Sequence, residues 1–140
     1  MRLGNKQFRW FVKLAKHCLK HNMPLIIENP ASSRLWIVPG MKKLIESASS
    51  SINFVHCAHG AKWMKPTRLV SWNIDVSSLQ SWCSSSAGIC QYTNQAHEVL
   101  SGKLNGRFRT SQASAYPIDF CDKFAKLLSH HLALPRPPQS

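Results

Sequence analysis

The amino-acid sequence predicts an α/β domain, and three observations carry the prediction. Residues 6–21 repeat apolar side chains at helical spacing, Leu25-Ile26-Ile27 follows as a short wholly apolar run, and residues 117–131 repeat the helical pattern behind a proline. A helix feeding directly into a buried strand is the element order of α/β folds.

In residues 6–21, Phe8, Phe11, Val12, Ala15, Cys18 and Leu19 form one stripe, and Arg9, Lys13, Lys16 and Lys20 form another. That is a helix with one face in the core and one basic face. Asn22-Met23-Pro24 ends it, because the residue before proline avoids the helical region. Leu25–Ile27 reads as a fully buried strand of the parallel-sheet kind, stopped by Glu28-Asn29-Pro30. Met41–Ala48 reads as a second helix, begun after Pro39-Gly40 and ended by Ser49-Ser50-Ser51. Ile52–Cys57 and Thr67–Trp72 are further strands. Residues 75–83 suit a short helix capped by Asp75 or Ser77 that packs Val76, Leu79 and Trp82. From Ser84 to Gly106 the chain is polar and broken by glycine, and no regular element is assigned. In residues 117–131, Pro117 suits the first turn and Asp119 and Asp122 suit the N-terminal dipole. Ile118, Phe120, Cys121, Phe124, Leu127 and Leu128 supply its apolar face. Residues 1–131 therefore form one domain, and residues 132–140 a proline-rich flexible tail.

A chain of 140 residues suits one core, burying roughly 68% of the unfolded surface. Charged residues are 17% and hydrophobic residues 44%, the balance of a globular chain. No apolar run is long enough to span a bilayer and Met1-Arg2-Leu3-Gly4 does not open a signal peptide, so the chain reads as soluble and intracellular. Eighteen Lys and Arg against six Asp and Glu give a formal charge of +12, which points to a polyanionic partner, nucleic acid first. Five cysteines at irregular spacing argue against a closed disulfide framework.

Three constellations carry chemistry. Glu28 ends a buried strand, where α/β sheets place ligands, although the same carboxylate also suits an anchor for the turn at Asn29, Pro30 and Ser32. Cys57, Cys83, Cys90 and His97 offer thiolate and imidazole ligands for zinc. The seven-residue steps from Cys83 to Cys90 and from Cys90 to His97 are wider than those of zinc knuckles, so small buried cysteines and surface histidines fit better than a metal site. Lys62, Lys65 and Arg68 stand around Trp63, and Lys103, Arg107 and Arg109 near Phe108, an interleaving that suits phosphate contacts with base stacking, although the rings equally suit core or rim positions and the cations a solvated surface. With Arg34, the residues Lys62, Lys65, Arg68, Arg107 and Arg109 are the expected nucleic-acid contacts, DNA being the expected partner. No phosphate-binding glycine loop, Gly-x-Ser-x-Gly elbow or His-Glu-x-x-His is present.

Several of these motifs occur together in one known family. Ile27-Glu28-Asn29-Pro30 within Glu-Asn-Pro-x-Ser-Ser-x-Leu-Trp, Cys57-x-x-Gly60, Lys65-Pro66-Thr67 and Ala115-Tyr116-Pro117 stand in this order. The chain so resembles, from residue 5 to 130, the distal part of cytosine carbon-5 DNA methyltransferases, in the divergent branch of phage and protist genomes. The resemblance implies a partial Rossmann-like sheet flanked by helices. It makes Glu28 the group that contacts the ring nitrogen of a flipped cytosine, and places Ala113, Ser114, Ala115 and Tyr116 beside S-adenosylmethionine. Pro30 stands where most of the family has valine, and no Pro-Cys dipeptide occurs in the chain. The nucleophile and cofactor loop would then come from an upstream domain or another chain, and the domain alone would be inactive. The competing readings are a non-catalytic basic nucleic-acid-binding module of a phage or mobile element and a zinc-stabilised interaction domain.

Overall fold

The computed structural model describes residues 2–133, with side chains from residue 6. Residues 134–140 of the expected proline-rich tail lie outside the described residues. The chain is mixed α/β: α1 (Arg2–Lys20), β1 (Leu25–Pro30), α2 (Pro39–Ile45), β2 (Ser50–Val55), β3 (Pro66–Trp72), β4 (Lys103–Leu104), β5 (Arg107–Phe108), α3 (Arg109–Gln112) and α4 (Ile118–Ala133). Short 3-10 turns cover Arg34–Ile37, His56–His59, Ser77–Leu79 and Ser86–Gly88. Among the described residues no helix is long and apolar enough to cross a membrane.

One sheet has the order β1-β3-β2, and β4 pairs with β5 in a separate ribbon. At one end of the β2–β3 pair Ser49 N–H donates to Ser71 O, and at the other His56 N–H donates to Met64 O. One residue number rises as the other falls, so the strands run antiparallel. Asn73, just past β3, donates through Nδ2 to Met23 O at 2.9 Å, just ahead of β1, which sets β1 antiparallel too. The expectation of a fully buried parallel strand at Leu25–Ile27 is thereby corrected. β1 is a half-buried edge strand, and a three-residue apolar run does not encode which way its neighbour runs.

The chain divides into two compact units, residues 2–52 with 68–78 and residues 53–67 with 79–133. In the first, Trp36, Met41, Val70 and Trp72 form a core, against which Phe8, Phe11 and Leu19 of α1 and Leu25 and Ile27 of β1 pack. Pro39 fixes the first turn of α2. Gly40 lets α1 approach closely: a Cβ there would meet the Phe8 ring at 3.0 Å, and the ring would have to shift by a few tenths of an ångström. Each core tryptophan places its polar end: Trp36 Nε1 donates to Pro30 O at 2.9 Å and Trp72 Nε1 to Leu44 O at 3.1 Å. Buried Ser71 donates to Ile74 O at 2.6 Å, so its contact with Ser50 Oγ at 2.5 Å must be one it accepts. Ser50 Oγ in turn accepts from Val76 N–H at 3.0 Å. Two hydroxyls thus pair the Ile74 carbonyl and the Val76 N–H in the corner after β3.

In residues 75–83 the expected helix shrinks to Ser77–Leu79. Asp75 Oδ1 accepts from Ser77 N–H at 2.8 Å, a local turn that competes with helix propagation. Val76 and Leu79 are buried as expected, but Trp82 is 55% exposed. In the second unit α4 forms over the expected range. Of its expected apolar face only Phe120 is buried, while Ile118 is 81% exposed and Cys121 is exposed. Phe120 stacks on Phe54 at 4.3 Å between ring centroids, and the stack continues to Phe124.

Candidate metal centre

Between Cys83 and Ala113, the single fully buried residue is Cys90. A stretch with so little apolar content needs another source of cohesion, and the structure brings one together. Sγ of Cys57, Cys83 and Cys90 and a ring nitrogen of His97 all lie within 4.8 Å of one another. Cys83 Sγ is 3.8 Å from Cys90 Sγ and 3.8 Å from His97 Nε2. A disulfide needs a sulfur separation of about 2 Å. A tetrahedron with metal–sulfur bonds of about 2.3 Å has sulfur–sulfur edges of about 3.8 Å. The Cys83–Cys90 separation has that length, and the four residues could hold a metal such as zinc.

Local chain geometry delivers each ligand. Cys57 sits in the 3-10 turn after β2, closed by Gly60 N–H donating to Cys57 O with Gly60 at φ 85°. Cys83 and Cys90 are joined by polar stitching: Ser84 N–H donates to Gln91 Oε1 at 3.0 Å and Tyr92 Oη donates to Trp82 O at 2.7 Å. Cys90 N–H donates to Gln95 O and the Ile89–Ala96 bridge turns the chain back, so His97 returns to the cysteines. Ser85, at φ 48°, completes the arrangement: its Oγ is 3.4 Å from His97 Nδ1 and 3.7 Å from Cys83 Sγ. A tautomer carrying its proton on Nδ1, facing Ser85 Oγ, would leave His97 Nε2, the nitrogen beside Cys83 Sγ, to bind metal. Residue chemistry alone named the four clustered residues but missed Ser85, which one serine in a serine run gives no signal to single out.

The thiols are electrostatically unequal. Cys57 is pushed up to about 12, by burial first and then by hydrogen bonding with Cys90. Burial also acts upward on Cys90. The Thr93 side chain, with the backbone of Thr93 and Tyr92, outweighs it and draws the thiol down to about 6. Cys57 and Cys90 are thus pushed in opposite directions, and a cation held between them would offset the cost of ionising Cys57.

His56 and His59 flank Cys57 in sequence but point elsewhere. His56 is fully buried, stacked on Phe54 at 5.5 Å, and held down to about 4 by burial, then by the charges of Lys65 and His59. His59 Nδ1 meets Asp119 Oδ2 at 2.8 Å.

The remaining expected site residues are dispersed. Glu28 is exposed on β1 in the first unit, and Ala113–Tyr116 lie in the second, between α3 and α4. Ala113 is buried, Ser114 and Ala115 are exposed, and Tyr116 is half-buried. Lys65 donates through Nζ to Ala113 O and lies over the Tyr116 ring, so a residue expected at phosphates meets two expected at a cofactor. Arg68 lies over the Trp36 ring at 5.0 Å and donates to Ser51 Oγ. Lys62 is 3.7 Å from Glu98. Arg109 donates to Val99 O at 3.2 Å. Arg34 and Arg107 stand exposed. Trp63 is half-buried with its Nε1 enclosed, whereas Phe108 is 61% exposed beneath Lys103.

No family model matches the chain, and neither a curated protein nor a solved structure does. Fold and site together define a small basic α/β protein with a three-cysteine, one-histidine cluster.

Proposed function

We propose that the chain is a zinc-stabilised, DNA-associated binding domain that performs no chemistry by itself. The observation that carries this reading is the convergence of Cys57, Cys83, Cys90 and His97 in the unit with the least apolar support. A closed set of four sulfur and nitrogen ligands is that of a structural zinc site, whereas a catalytic site keeps an open position. The charge of +12 supports a nucleic acid as partner, with Arg34 and Arg107 the most available of the expected contacts. Metal analysis of protein purified without added metal should give about one zinc per chain. Affinity for a short DNA duplex should fall with salt, at a slope of about −0.9 per phosphate neutralised. Zinc near zero, or affinity indifferent to salt, refutes the corresponding half of the reading.

A second reading rests on Glu28. Its carboxylate is exposed on β1 and, like those of Glu46, Asp75 and Asp122, has no ion pair among the described residues. An exposed carboxylate on that strand suits the base-contacting role implied by the methyltransferase resemblance, with S-adenosylmethionine as the cofactor near Ala113–Tyr116 and the chain as a distal piece of a Rossmann-like domain. Antiparallel pairing of β1 weighs against that fold, and calorimetry with S-adenosylmethionine decides: absence of heat removes this reading and leaves the first intact.

A further inference from the structure

The first 27 residues hold no carboxylate, yet they carry Arg2, Lys6, Arg9, Lys13, Lys16 and Lys20 on one helix. Lys6, Arg9, Lys13, Lys16 and Lys20 are all exposed, and none makes an ion pair among the described residues. Their three- and four-residue spacing aligns them along the solvent side of α1. In their midst Trp10 stands 65% exposed, one turn from Lys6 and from Lys13. Five like charges on one stripe repel one another, and an exposed indole costs hydration, so the face is unfavourable by itself and complementary to a polyanion.

We infer that this face of α1 is the DNA-docking surface, with the helix lying in the major groove, the cations on the phosphates of both walls and Trp10 against base edges. The inference rests on the DNA-binding reading above and goes beyond it, because no residue of α1 is among the contacts expected from the sequence. Lys6 to Lys20 spans roughly 21 Å at 1.5 Å per residue, within one helical turn of a duplex. A major groove about 12 Å wide admits an α-helix. A lipid surface fits less well. An amphipathic helix enters a membrane by its apolar face, and here Phe8, Phe11 and Leu19 are packed against the Trp36–Trp72 core.

The test compares duplex binding by the full chain with that of the combined variant Lys6→Gln, Arg9→Gln, Lys13→Gln and Lys20→Gln, and with Arg34→Gln/Arg107→Gln. The α1 variant should lose roughly tenfold or more in affinity at moderate salt, and its salt slope should shrink by about three to four. Trp10→Ala should weaken binding severalfold and leave the slope unchanged. All substituted side chains are exposed, so circular dichroism and the melting midpoint should match the parent protein. Unchanged affinity in the α1 variant overturns the inference while leaving DNA binding in place. No DNA binding by the parent protein fails the underlying reading instead. Binding to phosphatidylserine vesicles that the same variant abolishes, with DNA affinity intact, assigns the face to a membrane and also overturns the inference.

Discussion

Cys83 Sγ and Cys90 Sγ stand 3.8 Å apart, too far for a disulfide and at the edge length of a tetrahedral metal site. Replacing either by Ser should take the metal content from about one per chain to near zero and unfold the second unit, since a structural ion contributes its binding energy directly to folding. Cys121 is exposed and outside the cluster. Cys121→Ser should leave metal content and melting unchanged, which separates the cluster's effect from that of losing any thiol. Retention of full metal by Cys83→Ser would exclude the assigned ligand set.

Gly60 closes the turn that presents Cys57, and at φ 85° it lies where a side chain strains the backbone although a Cβ would meet nothing within 4 Å. Gly60→Ala should therefore cost only the conformational term, about 1–2 kcal/mol, and Gly60→Asn less. The melting midpoint of the metal-loaded protein reads the difference. Ser85→Ala leaves the backbone alone but removes the oxygen facing His97 Nδ1, and should weaken zinc roughly tenfold in competition with a chromophoric chelator.

Asp119 joins two elements of the second unit: its Oδ2 lies 2.8 Å from both Lys123 Nζ and His59 Nδ1. Lys123, then His59, hold its carboxyl below the ordinary 3.8. A depressed carboxylate pKa adds stability that is present above 3.8 and lost as pH falls through the lower folded value. Asp119→Asn should thus be less stable than the parent at neutral pH, with the gap closing below pH 3.8. Protonation of the metal ligands affects both proteins alike, so the difference isolates Asp119. Following the carboxyl by NMR gives a second check: Lys123→Ala should move its titration upward.

Much of the fold was legible because burial follows chemistry. The apolar runs gave β2 and β3 within two residues, and the basic and apolar stripes gave α1. That Cys57, Cys83, Cys90 and His97 come together was legible only as one option, because residue type offers thiolate and imidazole groups but spacing does not say whether they converge or lie as separate buried cysteines and a surface histidine. What stayed hidden depended on partners distant in sequence. Leu25–Ile27 does not say that β3 runs against it, and Trp82 does not say that Asp75 diverts the chain before a helix can bury it. Lys65 reads as a free cation until the Ala113 carbonyl is placed beside it. Trp10 carries no signal in the sequence, because a helical pattern gives its solvent side no meaning until the opposite side is known to be occupied.

The corner after β3 offers a measure of how much stability the first unit draws from buried polar order. Ser71 is fully buried and has one proton, which goes to Ile74 O, and its oxygen accepts the proton of Ser50. Ser71→Ala removes both partners at once: Ile74 O loses its donor in a buried setting and the Ser50 proton loses its acceptor. The expected cost is about 1–3 kcal/mol, the range for stranding a buried polar group. Ser51, one residue from Ser50, is exposed and binds only the Arg68 guanidinium, a contact worth under about 1 kcal/mol. Denaturant unfolding of Ser71→Ala and Ser51→Ala should therefore separate by more than about 1 kcal/mol at equal slope. Equal midpoints would mean that water replaces the Ser71 hydroxyl in this corner, and that the direction of its hydrogen bonds contributes nothing to holding Val76 and Ile74 against β2.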